Sequence, residues 1–381
     1  TAGEGTTVTA SGDAGGAGIG GGKGDTSSYS GQGSTIKIQN GAHVEATGGA
    51  EGGAGIGGGK GGTGSLSGLG NNITIQDGAH VKATGSGGGA GIGGGDSPTG
   101  GDGSGMGSNI TITGEGTTVT STGGVTGSGI GGGQNGQGYR IDISGGVQVE
   151  ATGGAEGGAG IGGGKKTGTD ANAGSGNTIT ISGETTQVTA TGSAGGAGIG
   201  GGSGGYGAKI TVNDGTVTAS GDAGGAGIGG GSGGYGANKI TVNDGTVTAT
   251  GSAGGAGIGG GMNGNSGNIL IKDTTLTALA FPLYQDYGYT ELSASAVGRG
   301  SNRAYYMAVM QDQEFAMSIE ENIKIGASDG KSVWLSATGW QWRHNQEPYK
   351  KYWGTTTELL IPNENAVSYT HLRAHETGAY L

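Results

Sequence analysis

A heptapeptide, Gly-Ala-Gly-Ile-Gly-Gly-Gly, recurs eight times along this 381-residue chain, once with Ser in place of Ala. Its central residues are Ile19, Ile56, Ile92, Ile130, Ile161, Ile199, Ile228 and Ile258, spaced 29 to 38 residues apart. Repeats of about 20–50 residues build solenoids, propellers or arrays, in which a unit buries its apolar face only against its neighbours. The period also decides how the glycine should be read. With 104 Gly and 4 Pro, composition alone would place the chain among low-complexity disordered segments. Gly does not fall at every third position and prolines are few, which excludes collagen.

Around each copy the same three apolar pairs recur. The first is Ile-x-Ile or Ile-x-Val, as at Ile36/Ile38, Ile141/Ile143 and Ile240/Val242. The second is Val-x-Ala, as at Val44/Ala46 and Val217/Ala219, with Val119/Ser121 a variant. The third, Ala-x-Ile, lies inside the heptapeptide, as at Ala17/Ile19. Period 2 with small or β-branched residues is the signature of a strand buried on one face. Between the pairs stand Asn40-Gly41, Asp77-Gly78, Asp214-Gly215 and Asp244-Gly245, dipeptides that readily take positive φ. No segment combines a 3.6-residue period with helix caps.

Three short strands cannot bury a face alone. Stacked as coils, they turn six small apolar residues inward per turn and pair each strand with its copies above and below. This predicts an all-β fold, a parallel β-helix or β-solenoid of about eight coils, each rising by roughly 4.7–4.9 Å. Right-handed coiling is the default for parallel crossovers. A propeller blade needs about 40–45 residues, more than the shorter repeats supply. Length variation collects just after the heptapeptide, as in 60–72 and 165–177 against 203–209. Loops absorb insertions cheaply, so this corner reads as drift, with a binding face as the alternative.

Net charge of −11 argues against nucleic-acid binding, which needs a basic patch. With no cysteine there is neither a disulfide framework nor a thiolate metal site. No run of about 18 apolar residues spans a membrane. The chain opens at Thr1 within a repeat, so any signal peptide is expected upstream. The solenoid is expected over 1–278, and an aromatic-rich β cap or small module over 279–366. There ENIKIGA (321–327) and KSVWLSA (331–337) read as antiparallel strands. Residues Val367 to Thr377 read VSYTHLRAHET, which resembles one translated frame of a common sequencing adapter. Residues 367–381 are therefore expected to be a non-native tail, and His371 and His375 no metal motif.

Several motifs dissolve on inspection. Gly16 to Gly21 fits GxGxxG, yet it recurs in every repeat with no helix following, as dinucleotide binding would require. The segment 21–29 hints at a calcium nonapeptide, but Asp25 stands one position early and no copy repeats it. His43 and His80 share one slot in adjacent coils and read as a stacked, solvated pair, since a transition metal needs three or four ligands. The acids Glu45, Asp77, Glu115, Asp142, Glu150, Glu184, Asp214 and Asp244 are spread one or two per repeat, as solubilising charges are. No convergent set of titratable groups points to catalysis. Outward partners of Val-x-Ala, such as Thr189/Thr191 and Thr248/Thr250, read as β-propensity on an exposed face, with an ice-binding ladder as the alternative.

The pattern ITVxDGTVTATGxxGGAGIGGG resembles the glycine-rich repeats of large secreted or wall-anchored surface proteins of gut-dwelling Gram-positive bacteria. Such repeats are often followed by a segment like NRAYYMAVM…SIEENIKI. The resemblance covers about 1–330. It implies an extracellular, surface-displayed, adhesin-like protein, and it supplies no catalytic residues. The expected function is thus a non-enzymatic stalk or display scaffold with no cofactor and no metal. Host or plant glycans or cell-wall polysaccharide are the expected partners. A polysaccharide lyase or hydrolase on a β-helix is the alternative from another class. Sugar-stacking side chains are expected in the aromatic segment at Trp340, Trp342, Tyr349, Tyr352 and Trp353, because amphipathic rings combine a stacking face with a polar tip.

Overall fold

A computed structural model describes residues 5–280 apart from 28, 65, 99–102, 169–171, 208 and 238, then 294 and 297–301. It also describes the backbone of Ile323–Gly326, Ser332–Thr338, Gln341–Trp342, Tyr352–Trp353 and Thr357–Pro362. Three sheets run the length of a parallel β-solenoid. Each coil contributes one strand to each sheet, as Gly70–Ile75, His80–Thr84 and Ile92–Gly93 do.

The register follows the repeat. In the first sheet Ile36 stands opposite Ile73, Ile73 opposite Ile110, and Ile141 opposite Ile179. In the second, Val44 stands opposite Val81 and Val81 opposite Val119. In the third, formed by two-residue strands, Ile19, Ile56, Ile92 and Ile130 stand in file. The Ile-x-Ile and Val-x-Ala pairs and the heptapeptide isoleucines make one continuous core, while the heptapeptide alanines, such as Ala54, Ala90 and Ala159, are buried without joining it, contrary to the expectation of six core residues per coil. Ile56, Ile92, Ile110, Ile161 and Ile228 are wholly buried. Where a repeat carries Ser121 or Ser128 in place of alanine, the buried hydroxyl donates to the carbonyl of Gly129 or Gly132, at 2.6 and 2.8 Å. Those bonds satisfy groups that would otherwise be costly to bury.

The heptapeptide's glycines follow from this stacking. Gly200, after its isoleucine, has φ of 135°, and a Cβ there would lie 1.9 Å from the carbonyl oxygen of Gly229 in the next coil. Gly198, before the isoleucine, is shut in by the backbone itself. A Cβ would meet the amide of Ser220 at 2.5 Å and the Gly227 oxygen at 2.7 Å. Only glycine allows the backbones to approach this closely.

The turn dipeptides divide into two kinds. Asn40 and Asp77 take φ of 55°, and the glycines after them are also positive. At Asp214-Gly215 and Asp244-Gly245 only the glycine is positive, contrary to the expectation for the aspartates. There the Asp carboxylate accepts a hydrogen bond from the following glycine amide, at 2.7 and 2.8 Å. This local side-chain bond closes the turn without a left-handed aspartate.

The parallel register continues past residue 278. Val297–Gly298 pairs with Ile258–Gly259, so Val-Gly-Arg-Gly at 297–300 is a ninth, degenerate glycine motif. The segments read as antiparallel strands instead run parallel to the coil before them. Ile323 and Ile325 stand opposite Ile269 and Ile271, and Leu335 and Ala337 opposite Leu276 and Ala278. Their Ile-x-Ile and Leu-x-Ala pairs occupy the register slots that earlier coils fill with Ile-x-Ile and Val-x-Ala. Antiparallel pairing enters with Thr357–Pro362, laid against Ser332–Thr338. Among the described residues no helix is long and apolar enough to cross a membrane.

Candidate binding surfaces

Alternation along the second sheet turns every other side chain to solvent, giving columns of outward residues along the solenoid. One column is all hydroxyl across eight strands, from Ser11 through Thr47, Thr84, Thr122, Thr152, Thr191 and Ser220 to Thr250. A second column places Glu45 opposite Lys82, with Lys82 Nζ 2.7 Å from Glu45 Oε1. A third places His43 opposite His80, their rings stacked at 4.6 Å between centroids and 19° between planes. His80 Nδ1 is also 2.7 Å from Thr118 Oγ1.

Glu45, Lys82, His43, His80 and Thr118 border a shallow, open depression of about 330 Å³. The stacked, exposed histidines are the pair the repeat alignment predicted. Imidazole lone pairs lie in the ring planes, so two rings stacked face to face do not aim them at one ion. Among the described residues no three His, Asp or Glu side chains come together as a metal site requires. The Glu45–Lys82 pair is well exposed, which limits it to at most about 1 kcal/mol of stability.

The loop that hinted at calcium is closed by its own backbone. Asp25 Oδ1 accepts the Ser27 amide at 2.8 Å, and this bond, with the Ser27 side chain adding to it, holds the carboxyl below its ordinary range. Glu45, Asp142 and Glu150 point outward from separate strands. The GxGxxG segment leads through Ile19–Gly20 into strand Gly33–Ile38, not into a helix.

Length variation does gather at one corner, where the chain passes from the third sheet to the first. Two features there were not singled out from sequence. At the exit of the third heptapeptide, Asp96 tucks against Gly52 and Gly88 with 8% of its surface exposed. Its Oδ1 has no hydrogen-bond partner, and Lys60 Nζ lies 3.9 Å from Oδ2. Burial pushes this carboxyl above its ordinary value, against the opposing pull of Lys60. Further along the same corner, the rings of Tyr206 and Tyr235 stack at 5.3 Å and 19°. Lys166 Nζ stands 5.7 Å from the Tyr206 centroid.

Of the aromatic residues expected to contact sugar, Trp340 and Tyr349 lie outside the described residues, as does 367–381. The backbone pairs Gln341–Trp342 antiparallel to Tyr352–Trp353, with Trp342 opposite Tyr352 and Gln341 opposite Trp353. Register therefore brings three of the five into one two-stranded ribbon.

Seven stretches match the model for the beta helix repeat: residues 4–23, 36–60, 73–96, 141–165, 179–203, 210–232 and 240–262. No curated protein and no solved structure matches the chain. Six of the matched stretches run from an Ile-x-Ile or Ile-x-Val pair to the end of a glycine motif, the first, 4–23, enters at Val8/Ala10 of the second sheet, and their coils stack in register. The described coils form a parallel β-helix, a solenoid scaffold that matches the beta helix repeat in these seven stretches.

Proposed function

We propose that this chain is the stalk or display scaffold of an extracellular, adhesin-like surface protein, with no catalytic role. The observation that carries the reading is the coil-by-coil register, in which neighbouring repeats bury one another along one continuous core. Such a body is close to one-dimensional, its length set by the number of repeats. Carbohydrate recognition belongs to Trp340, Trp342, Tyr349, Tyr352 and Trp353, with host or plant glycans or cell-wall polysaccharide as ligand. The cross-strand register of Trp342 with Tyr352 supports this grouping.

The test is binding of the full chain to a glycan array and to mucin, with Trp342→Ala and Trp353→Ala alongside. Loss of binding in both variants, with unchanged circular dichroism, is expected. Sustained release of reducing ends from pooled polysaccharides would replace the scaffold reading with an enzymatic one. The unbroken Ser/Thr column favours one other reading, an ice-binding face, for which the measurement is thermal hysteresis of the purified chain.

A further inference from the structure

Where charged side chains meet across coils on this surface, their charges are opposite. Glu45 meets Lys82, Lys23 meets Glu51, and Lys60 meets Asp96. Lys209 and Lys239 break the pattern. They stand directly opposite in neighbouring parallel strands, both exposed, and neither forms an ion pair among the described residues. Like charges placed so destabilise a sheet. The carboxylates at the far end of the same strands, Asp214 and Asp244, each bond to the amide of the glycine that follows.

Three and four residues upstream of these lysines lie Tyr206 and Tyr235, within about 14 Å of extended chain. Their rings stack on each other, Lys166 lies over Tyr206, and Tyr235 is 51% exposed. Among the described residues only Tyr29 and Val125 are comparably exposed large apolar side chains. Cationic and aromatic groups thus collect at one corner of a chain whose net charge is −11.

We propose that this corner, formed by Lys166, Tyr206, Lys209, Tyr235 and Lys239, binds an acidic polysaccharide laid along the solenoid axis. A polymer of uronate or sulfated sugars carries an anion on successive residues. It relieves the Lys209–Lys239 repulsion at two points separated by the inter-strand spacing of about 4.8 Å. Sugar rings bring C–H faces that pack on tyrosine, while its hydroxyl remains available for hydrogen bonds. The acidic remainder of the surface repels the same polymer, which confines it to this corner. The site is independent of the aromatic ribbon near 341–353.

The experiment is retention of the full chain on immobilised polygalacturonate, with neutral dextran and polyglutamate as controls, over a salt gradient. We expect retention on polygalacturonate alone at low salt, lost toward 1 M, where screening acts within about 3 Å. The double variant Lys209→Gln/Lys239→Gln should bind at least tenfold more weakly while its melting temperature holds or rises. Tyr235→Ala, at an exposed position, should weaken binding without lowering the melting temperature. A wild-type chain that passes straight through would overturn the proposal. So would wild-type affinity in the double variant, or equal retention on polyglutamate, which would mark a site for any polyanion.

Discussion

Lys60 Nζ reaches to within 3.9 Å of Asp96 Oδ2 across one coil boundary, while Asp96 Oδ1 stays buried without a partner. The pair is a half-satisfied charge site at this corner. The coils on either side fill the same slot with Lys60 and Gln134, and later coils fill it with Ser203, Ser232 and Ser301; all these amides make the equivalent bond to the preceding coil. Burial is the larger influence on Asp96 and favours its neutral form.

A pH dependence follows. A carboxyl whose folded pKa lies above its unfolded one contributes stability that is fully present below the unfolded value of 3.8. That stability is lost as pH rises through the folded value. Asp96→Ser should therefore stabilise the chain near neutral pH, by about 1 kcal/mol. The gain should vanish below pH 3.8. Urea unfolding of both proteins across pH 3 to 8 checks this, and a gain independent of pH would contradict it.

Glycines of the same chain should differ sharply in tolerance. Gly200→Ala meets the Gly229 carbonyl at 1.9 Å with φ of 135°, so roughly 3 kcal/mol or more of stability should be lost. Gly233 has φ of 77° and nothing within 4 Å, so Gly233→Ala should cost only about 1 kcal/mol, the left-handed penalty. Thermal melts of the two variants make the comparison.

Ile228 is wholly buried, one member of the file of isoleucines along the third sheet. Ile228→Asp should lose at least about 3 kcal/mol, because it buries an uncompensated charge. Deleting 206–234 removes one complete repeat and joins coils of the same register, so a shorter folded chain should remain. Circular dichroism and chemical denaturation of the two proteins decide the order. A deletion more damaging than the aspartate would contradict near-additive coils.

One position should gain from substitution. Just before the isoleucine pair, Asn72 and Asn109 take φ of 53° and 51°, while Thr178 in the same slot takes 59°. A β-branched residue is poorly suited to this conformation and asparagine well suited. Thr178→Asn should raise stability by about 1 kcal/mol, read as a higher urea midpoint at unchanged m.

The eight coils were legible because every inward pair has period 2 and recurs with its neighbours. The same alignment that put His80 above His43 also puts Tyr235 above Tyr206. The ninth motif was hidden because Val297 and Arg299 replace isoleucine and glycine. What survives is Gly298, whose φ of 144° keeps the backbone on the path of Gly259. The strands after it were read as antiparallel because loss of glycine suggested a new module, although Ile323/Ile325 and Leu335/Ala337 kept the inward pattern. Asp96 was beyond local reading, since its burial depends on Gly52 of the preceding coil closing over it together with Gly88 of its own.

Residues 203–231 and 232–261 are nearly the same sentence written twice, and they fold as successive coils in matching register. At the level of the gene, such a tandem invites unequal crossing-over. Because each copy begins and ends at the same point of the coil, an exchange adds or removes a whole turn and leaves every junction native. The length of the solenoid is thereby a heritable variable, adjustable between lineages without passing through an unfolded ancestor.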